Sequence, residues 1–308
     1  MVKLDAIQKR LISEIADLQS VPAGAYNFRA NSQLAGRNTT ANIDIVSKEN
    51  GSGIDIRIKP GTKNESVHIP VVISESGIKE TVYNDFYIGE DSDVVIVAGC
   101  GIDNCGGQDS EHDGVHRFFV GRGAKVRYVE KHYGSGDGKG QRILNPVTEC
   151  YMEEDSSMEM EMEQIKGVDS TERMTRAELK SGARLVVKER LMTHGSQTAV
   201  SGYQINLNGA NATADVVSRS VARDDSSQTF NARITGNAPC SGHTECDSII
   251  MDRGHILAIP SLEANDVDAM LVHEAAIGKI AGDQLTKLMT LGLTEAEAEE
   301  QIINGFLR

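Results

Sequence analysis

The eleven residues Asp155–Ile165, DSSMEMEMEQI, decide the fold. A turn pair, Asp155-Ser156, is followed by an alternation of Met158, Met160 and Met162 with glutamates. Because successive side chains of a strand point to opposite faces, this alternation predicts a half-buried strand that begins directly after a tight turn. The stretch therefore defines one structural unit, a turn followed by a strand.

The same unit recurs along the chain at a nearly fixed spacing. A turn residue followed by a residue that is usually small occurs at Asp91-Ser92, Gly123-Ala124, Asp155-Ser156, Gly182-Ala183, Gly209-Ala210, Asn237-Ala238 and Asp266-Val267. Consecutive pairs are 27 to 32 residues apart, a length that holds two strands of roughly 5–8 residues each with their turns. Strands at a fixed period without intervening helices predict a solenoid, a parallel β-helix over residues 38–271. The pattern leaves open an antiparallel sandwich with evenly spaced turns.

Helical segments are predicted at both ends of the coil. The N-terminal segment, residues 1–37, carries one apolar stripe with a helical spacing of three or four residues: Leu4, Ile7, Leu11, Ile15 and Leu18. In the C-terminal segment, residues 272–308, Thr294 and Glu297 have the spacing of a capping box. We expect these segments to cover the strand edges that a solenoid leaves unpaired at its ends.

The composition argues against several classes of protein. A net charge of −14 disfavours nucleic acid as a partner, because that affinity comes mainly from Lys and Arg. The sequence contains no run of 18 apolar residues, so it predicts no membrane span. The N-terminus alternates charged with apolar residues, unlike a signal peptide. We therefore expect a cytoplasmic protein whose cysteines stay reduced. These are Cys100, Cys105, Cys150, Cys240 and Cys246.

The period brings three chemically useful side chains near one another. His273 and Glu274 follow Cys246 by 27 and 28 residues, about one turn of the coil. Residues one turn apart lie roughly 4.8 Å from each other on neighbouring strands. Thiolate and imidazole are ligands for iron, zinc or an iron–sulfur cluster, so the three residues form a candidate site. Taken singly, Cys246 is as typical of a small buried residue as of a ligand, and His273 is more typical of a helix-start or core histidine than of a ligand.

A second group lies in GCGIDNCGGQDSEHDGVH, residues 99–116. Its possible metal ligands are Cys100, Cys105, His112 and His116. Their C-x4-C-x6-H-x3-H spacing indicates a possible second metal site but matches no standard zinc pattern. His132 follows Cys100 by one local period of 32 residues. The alternative is a Gly-rich loop that protrudes from the coil. Cys150 has no partner in the sequence and is predicted to be structural.

Two stretches near the C-terminus resemble a known family. TECDSI at 244–249 and VHEAAIGKIAGDQLTKLMTLGLTEAEAEEQIINGFL at 272–307 are similar to the C-terminal signature of the SufB/SufD family of iron–sulfur cluster assembly scaffolds. A weaker likeness covers residues 99–116 and the following FFVGRGAKV. The resemblance implies a right-handed parallel β-helix between helical ends, the same fold class that the repeat predicts independently.

The resemblance also implies a function and a site. Members of the family receive sulfur and iron and build a transient cluster, of a type the sequence does not specify, where two subunits meet. By position Cys246 matches the assembly cysteine of SufB, Glu274 the glutamate beside it, and His273 a histidine of both subtypes. The C-terminal helices would dock on SufC, an ABC-type ATPase, so the chain itself would be a scaffold and not an enzyme. A sulfur donor and apoprotein acceptors are further implied partners.

The residues around the candidate site distinguish the subtypes. Cys246-Asp-Ser and His273-Glu274 favour SufB, and the chain resembles a short SufB-like form without the long N-terminal region. We expect a homodimer, or a heterodimer with a paralogue, that works with SufC. Cys240 would assist Cys246 or merely pack. One alternative is a SufD-like adaptor that holds no cluster. The other, a polysaccharide-acting β-helix enzyme, is disfavoured by the missing signal peptide and the few aromatic residues.

Overall fold

A computed structural model describes residues 4–308 as a parallel β-solenoid of about eight turns with three helices at its termini. The helices are α1 (Ala6–Ala16), α2 (Gly282–Thr290) and α3 (Glu295–Phe306). The strands are β1 (Ala25–Ala30), β2 (Gln33–Asn38), β3 (Ile43–Ser47), β4 (Gly53–Ile58), β5 (Lys63–Ile73), β6 (Lys79–Ile88), β7 (Asp93–Asp103), β8 (Ser110–Val120), β9 (Lys125–Ser135), β10 (Arg142–Leu144), β11 (Val147–Met152), β12 (Ser157–Lys166), β13 (Ser170–Leu179), β14 (Arg184–Thr193), β15 (Thr198–Leu207), β16 (Thr213–Ala222), β17 (Ser227–Gly236), β18 (Ser241–Ile250), β19 (His255–Ala264) and β20 (Met270–Gly278).

The strands form two sheets, and each turn of the coil, or rung, contributes to both. Sheet A runs β2-β1-β5-β7-β9-β12-β14-β16-β18-β20, and sheet B runs β19-β17-β15-β13-β10-β8-β6-β4-β3, with β11 also between β8 and β13. Within residues 4–308 the pairs β1–β2 and β3–β4 are antiparallel, and every other pair is parallel. The predicted parallel solenoid is therefore confirmed, and the antiparallel sandwich is not the fold.

The corners of the coil explain the turn pairs that the sequence repeats. Asp91, Gly123, Asp155 and Gly182 have a positive φ between 54° and 67°, a conformation that Asp and Gly tolerate better than most residues. The small residue after each is buried. These small residues stack above one another at the same corner of successive rungs, and backbone hydrogen bonds connect each rung to the next there. The column consists of Ser92, Ala124, Ser156, Ala183, Ala212, Cys240 and Ala269.

The later corners differ from the spacing that the sequence predicts. The left-handed turn residue of the fifth corner is Asn211, with φ 61°, instead of Gly209. In the sixth rung the small position is taken by Cys240, which follows the predicted pair Asn237-Ala238. The fifth corner, between β15 and β16, is one residue longer than the earlier ones, and a polar ladder runs along the outer side of the later corners. Its amides are Asn208, Asn237 and Asn265, each donating to the residue one rung below at 2.7 or 2.8 Å.

The two ends of the coil are built differently. Helix α1 covers the first rungs by packing Leu11 and Ile15 on the outer face of sheet A, and its Asp5–Gln8 capping box satisfies the first amides. At the other end α3 packs Ile303 and Leu307 against Val221 on the side of the coil. The last strands, β19 and β20, therefore remain uncovered. None of the helices within residues 4–308 combines the length and the hydropathy of a bilayer span.

The element boundaries differ from the predicted divisions at 38 and 271. Strands β1 and β2 already lie within residues 25–38, and β20 continues to Gly278. The apolar stripe of the N-terminal segment continues to Leu18, but α1 ends at Ala16, and Asp17 adopts the left-handed conformation with φ 52°. At the C-terminus the predicted capping box is present, because Thr294 and Glu297 bond each other reciprocally.

Candidate functional site

Strand β18 places Cys246 inside the coil. Its alternation buries Gly242, Thr244, Cys246 and Ser248 and turns the residues between them outward. Cys246 is 1% exposed, and its Sγ lies 3.7 Å from Ser248 Oγ. Burial raises the pKa of the Cys246 thiol, and the neighbouring hydroxyl offsets this only in part. The neutral thiol is therefore the favoured form of Cys246 in this interior.

His273 lies on the same interior face, displaced along the strand. The register pairs Thr244 with His273 and Cys246 with Ala275, so the residue above the thiol is an alanine and the imidazole stands one inward position away. His273 Nδ1 lies 2.6 Å from Thr244 Oγ1. Burial, together with the nearby His243, lowers the pKa of His273. The structure thus provides a thiol and a neutral imidazole, the ligating form, on one inner surface.

Glu274 faces the opposite side of the sheet. It pairs directly with Glu245, and both carboxylates point outward beside His243. Within residues 4–308, His243, Glu245 and Glu274 are the one group of three or more possible ligands whose donor atoms lie within 4.8 Å of one another. The structure brings Cys246 and His273 to the inner face, and it does not bring Glu274 to them.

Cys240 occupies a corner and not the space around Cys246. It stands in the column of small corner residues, where Gly236 and Ala269 surround it. Burial raises the pKa of its thiol. The other members of this column are Ser and Ala, so the position of Cys240 suits a small side chain.

Cys100 has a different environment from the other buried cysteines. It points into the coil from β7 and pairs with His132 of β9. Burial alone would raise the pKa of the Cys100 thiol, but the imidazoles of His112 and His132 bring it down to about 7. In turn, the thiolate of Cys100 and the carboxylate of Glu80, whose Oε1 lies 3.0 Å from His112 Nδ1, raise the pKa of His112 to about 10 against the effect of burial. Both shifts favour the thiolate–imidazolium form of this buried pair.

The remaining members of the second group separate from this couple. Cys105 is exposed in the loop after β7, with its Sγ 3.4 Å from Asp103 Oδ1. His116 is buried, and its Nδ1 lies 2.7 Å from Tyr128 Oη; burial lowers the pKa of His116 to about 4. The structure therefore joins Cys100 with His112 and keeps Cys105 outside the coil.

Gly114 separates the two imidazoles on the inner face of β8. A Cβ at this glycine would lie 3.4 Å from the Nε2 atoms of both His112 and His116. The absent side chain leaves a small space between the two rings. A larger residue at position 114 would fill the space between the two imidazole rings.

A buried ion network lies between the two cysteine regions. Arg173 pairs with Glu130, and its Nε lies 3.8 Å from Glu189 Oε1. Arg173 overcomes the opposing effect of burial and holds the pKa of Glu130 well below its usual range. Glu189 Oε2 also accepts a hydrogen bond from Ser218 Oγ at 2.7 Å, and Ser218 pairs with Cys246 on the next strand. The network thus extends to the rung next to that of Cys246.

The network was missed from the sequence, although part of its signal is present there. In β9, Glu130 and His132 have the same phase as the inward Val126 and Tyr128, so a charged interior could be inferred from that strand alone. The partner Arg173 lies 43 residues away. Its pairing depends on the register of several rungs, which the sequence pattern does not define.

The last rungs and the segment around helix α2 expose apolar side chains. On β19, Leu257 and Ile259 point outward and are exposed, and the neighbouring β20 exposes Met270. Helix α2 buries none of its residues, and Leu291 just after it is 76% exposed. These apolar surfaces are typical of places where another protein binds.

Comparisons with known proteins agree on one family. The model of the family described as SUF system FeS cluster assembly, SufBD core domain, matches residues 79–306. The chain is 29% identical to a SufBD family protein of Methanothermobacter thermautotrophicus (strain Winter) over 83% of its own length and 62% of the relative's. It is 29% identical to a SufBD family protein of Methanocaldococcus jannaschii, over 86% of its own length and 84% of the relative's. It is 28% identical to SufB of Bacillus subtilis, over 65% of its own length and 43% of the relative's. The chain therefore spans less than two thirds of the Methanothermobacter relative.

Proposed function

The chain belongs to the SufBD core family of SUF-system iron–sulfur cluster assembly proteins, and we propose that it is a SufB-like scaffold that works in the cytoplasm. A transient cluster would be assembled on it from iron and sulfide and then passed to apoproteins. The observation that carries the proposal is Cys246, a soft ligand on the inner face with His273 one inward position away. Thiolate and imidazole together suit iron–sulfur chemistry.

The open end of the coil supports access to this thiol. Cys246 pairs with Ala275 of the last strand, and the inward positions Ala275 and Ile277 are themselves exposed because no further rung covers them. A metal or persulfide can thus approach Cys246 past a single small residue. Glu274, at the family's glutamate position, adds a carboxylate on the outer side of the same strand.

The test compares two cysteines with equal burial. Cys246 and Cys150 are each 1% exposed, so Cys246→Ala and Cys150→Ala remove the same atom at a similar packing cost. We expect anaerobic reconstitution to load Cys150→Ala with iron and sulfide like the unmodified chain, and Cys246→Ala to lose most of both. Equal loading of the two variants would contradict the scaffold site.

A SufD-like adaptor that holds no cluster is the second candidate. The observation that favours it is the raised pKa of the Cys246 thiol, which makes the sulfur less reactive at neutral pH than an unperturbed cysteine. An adaptor would still bind the ATPase but would load no cluster with or without Cys246. Iron content of the unmodified, reconstituted chain therefore separates the two candidates.

We further propose a homodimer through the last rung. The unpaired edges of β19 and β20 and the exposed Leu257 and Ile259 support it, since such edges otherwise invite aggregation. Ile259→Lys places a charge on this surface and should shift the molar mass in light scattering toward the monomer. Val46→Lys, at the opposite end and similarly exposed, is the control. A paralogue would replace the second copy in a heterodimer.

Helix α2 and Leu291 form the surface we propose for SufC. Deleting both C-terminal helices would also uncover Val221, so a point change is the cleaner test. Leu291→Asp should abolish co-purification with SufC and leave the far-ultraviolet circular dichroism unchanged, because this side chain makes no buried contact. Retained co-purification would place the ATPase on another surface.

The second site we propose is the Cys100–His112 couple, with His116 across Gly114. A thiolate available at neutral pH is a nucleophile and a soft metal ligand. Cys105 stays outside this interior site. Loss of bound metal in Cys100→Ala, with Cys105→Ala unaffected, is the expected result.

A further inference from the structure

A cluster of imidazole and carboxylate groups lies on the outer face of the last rungs of sheet A. Its members are His243 and Glu245 of β18 and Glu274 of β20, and their donor atoms lie within 4.8 Å of one another. Alternation along β18 places His243 and Glu245 on the same outer face, while Cys246 between Glu245 and Asp247 faces inward. The cluster is thus separated from the thiol by the sheet itself.

Asp215 fixes the orientation of the imidazole. Asp215 of β16 pairs with His243, and its Oδ1 lies 2.8 Å from His243 Nδ1. A carboxylate oxygen accepts hydrogen bonds, so Nδ1 faces Asp215 and Nε2 is the ring nitrogen that can bind a metal. This carboxylate–histidine arrangement is the one that orients imidazole ligands in metal sites.

The distance between two of the donor atoms suits a shared cation. His243 Nε2 and Glu274 Oε2 are 3.9 Å apart, which is too long for a hydrogen bond. Two ligands that each bind one metal ion at about 2.0–2.2 Å lie roughly 3–4 Å from each other. The two atoms therefore stand at a separation that a metal ion between them would require.

The charges of the cluster favour the same occupant. Glu245 and Glu274 lie directly opposite each other on neighbouring strands, and like charges in that position destabilise a sheet. Asp215 adds a third carboxylate beside them. A divalent cation would neutralise this repulsion, and the imidazole selects a transition metal over Mg²⁺ or Ca²⁺.

We propose that His243, Glu245 and Glu274 bind a divalent first-row transition cation such as Fe²⁺, with Asp215 as a positioning residue. The site shares Glu274 with the proposed scaffold function, but it lies on the face opposite Cys246 and does not depend on a cluster there. Its half-exposed position leaves the ion exchangeable.

The test uses Mn²⁺ with the full chain under anaerobic conditions. Mn²⁺ prefers carboxylate ligands to thiolate, so the cysteines do not compete, and electron paramagnetic resonance separates free from bound ion. We expect His243→Ala and Glu245→Gln to abolish measurable binding. Asp215→Asn should weaken it by about 10–100-fold, as loss of an orienting partner does. His255→Ala, on β19 of the other sheet, should bind like the unmodified chain.

Unchanged Mn²⁺ affinity in His243→Ala or in Glu245→Gln would overturn the proposal. Glu245→Gln is nearly isosteric and keeps the test valid if His243→Ala fails to fold. Iron and sulfide loading of Cys246→Ala is a separate measurement. The cation site and the scaffold proposal can therefore fail independently.

Discussion

His112→Gln tests whether a charged partner sets the chemistry of Cys100. Cys100 and Cys150 are both buried cysteines, yet His112 and His132 bring the pKa of Cys100 down to about 7, whereas burial raises that of Cys150 to about 12. Glutamine keeps the hydrogen-bonding shape of the imidazole but not its charge. Without His112 we expect the pKa of Cys100 to rise, since burial then outweighs the remaining partner.

The expected loss of thiolate follows from the pKa of Cys100 and the ordinary pKa of a cysteine. A thiol with a pKa of about 7 is about half ionised at pH 7, and a rise only to the ordinary value of 9.0 reduces this to about 1%. Ultraviolet thiolate absorbance, titrated against pH and corrected with Cys100→Ser, measures the change. His194→Gln, a histidine that contacts Gln197 and no thiol, is the control. A thiolate titration that is the same in His112→Gln and in the unmodified chain would refute the reasoning.

Two further predictions concern stability. Arg173→Met should lower the free energy of unfolding by about 3–5 kcal/mol, because it leaves Glu130 and Glu189 buried without a counter-charge; chemical denaturation measures it, and the exposed Arg253→Met should have little effect. A loss no larger than that of Arg253→Met would mean that water or the histidines neutralise the network. Thr294→Ala should cost about 1 kcal/mol by removing the cap of α3, seen as faster amide exchange confined to that helix, and uniform exchange would count against it.

The fold could be predicted from the sequence because its signal is redundant. The alternation of Met158, Met160 and Met162 and the turn pairs each indicate strands, and their period indicates stacking. A single misplaced pair, such as Gly209-Ala210 for Asn211-Ala212, leaves the architecture unchanged. The packing of α3 on the side of the coil could not be predicted in this way, because it depends on Val221 from a distant rung.

The candidate site is less predictable because it depends on register. The spacing of 27 residues predicts His273 above Cys246, but the last corner is longer and the register places Ala275 there. A shift of one residue exchanges the faces of a strand, so Glu274 lies outside although it is adjacent in sequence to an inward histidine. Identifying the residue types was possible from the pattern, whereas assigning them to a face required the structure.

The stacking of the rungs also sets the distance between the two buried cysteines along the coil. Cys100 stands on β7 and Cys246 on β18, five rungs further along sheet A, so their separation along the axis is about 24 Å at roughly 4.8 Å per rung. This distance changes in steps of one rung, because a segment of one turn can be added or removed without disturbing the strands on either side. The spacing between the two thiols is thus encoded by the number of repeats and not by the sequence of any one of them.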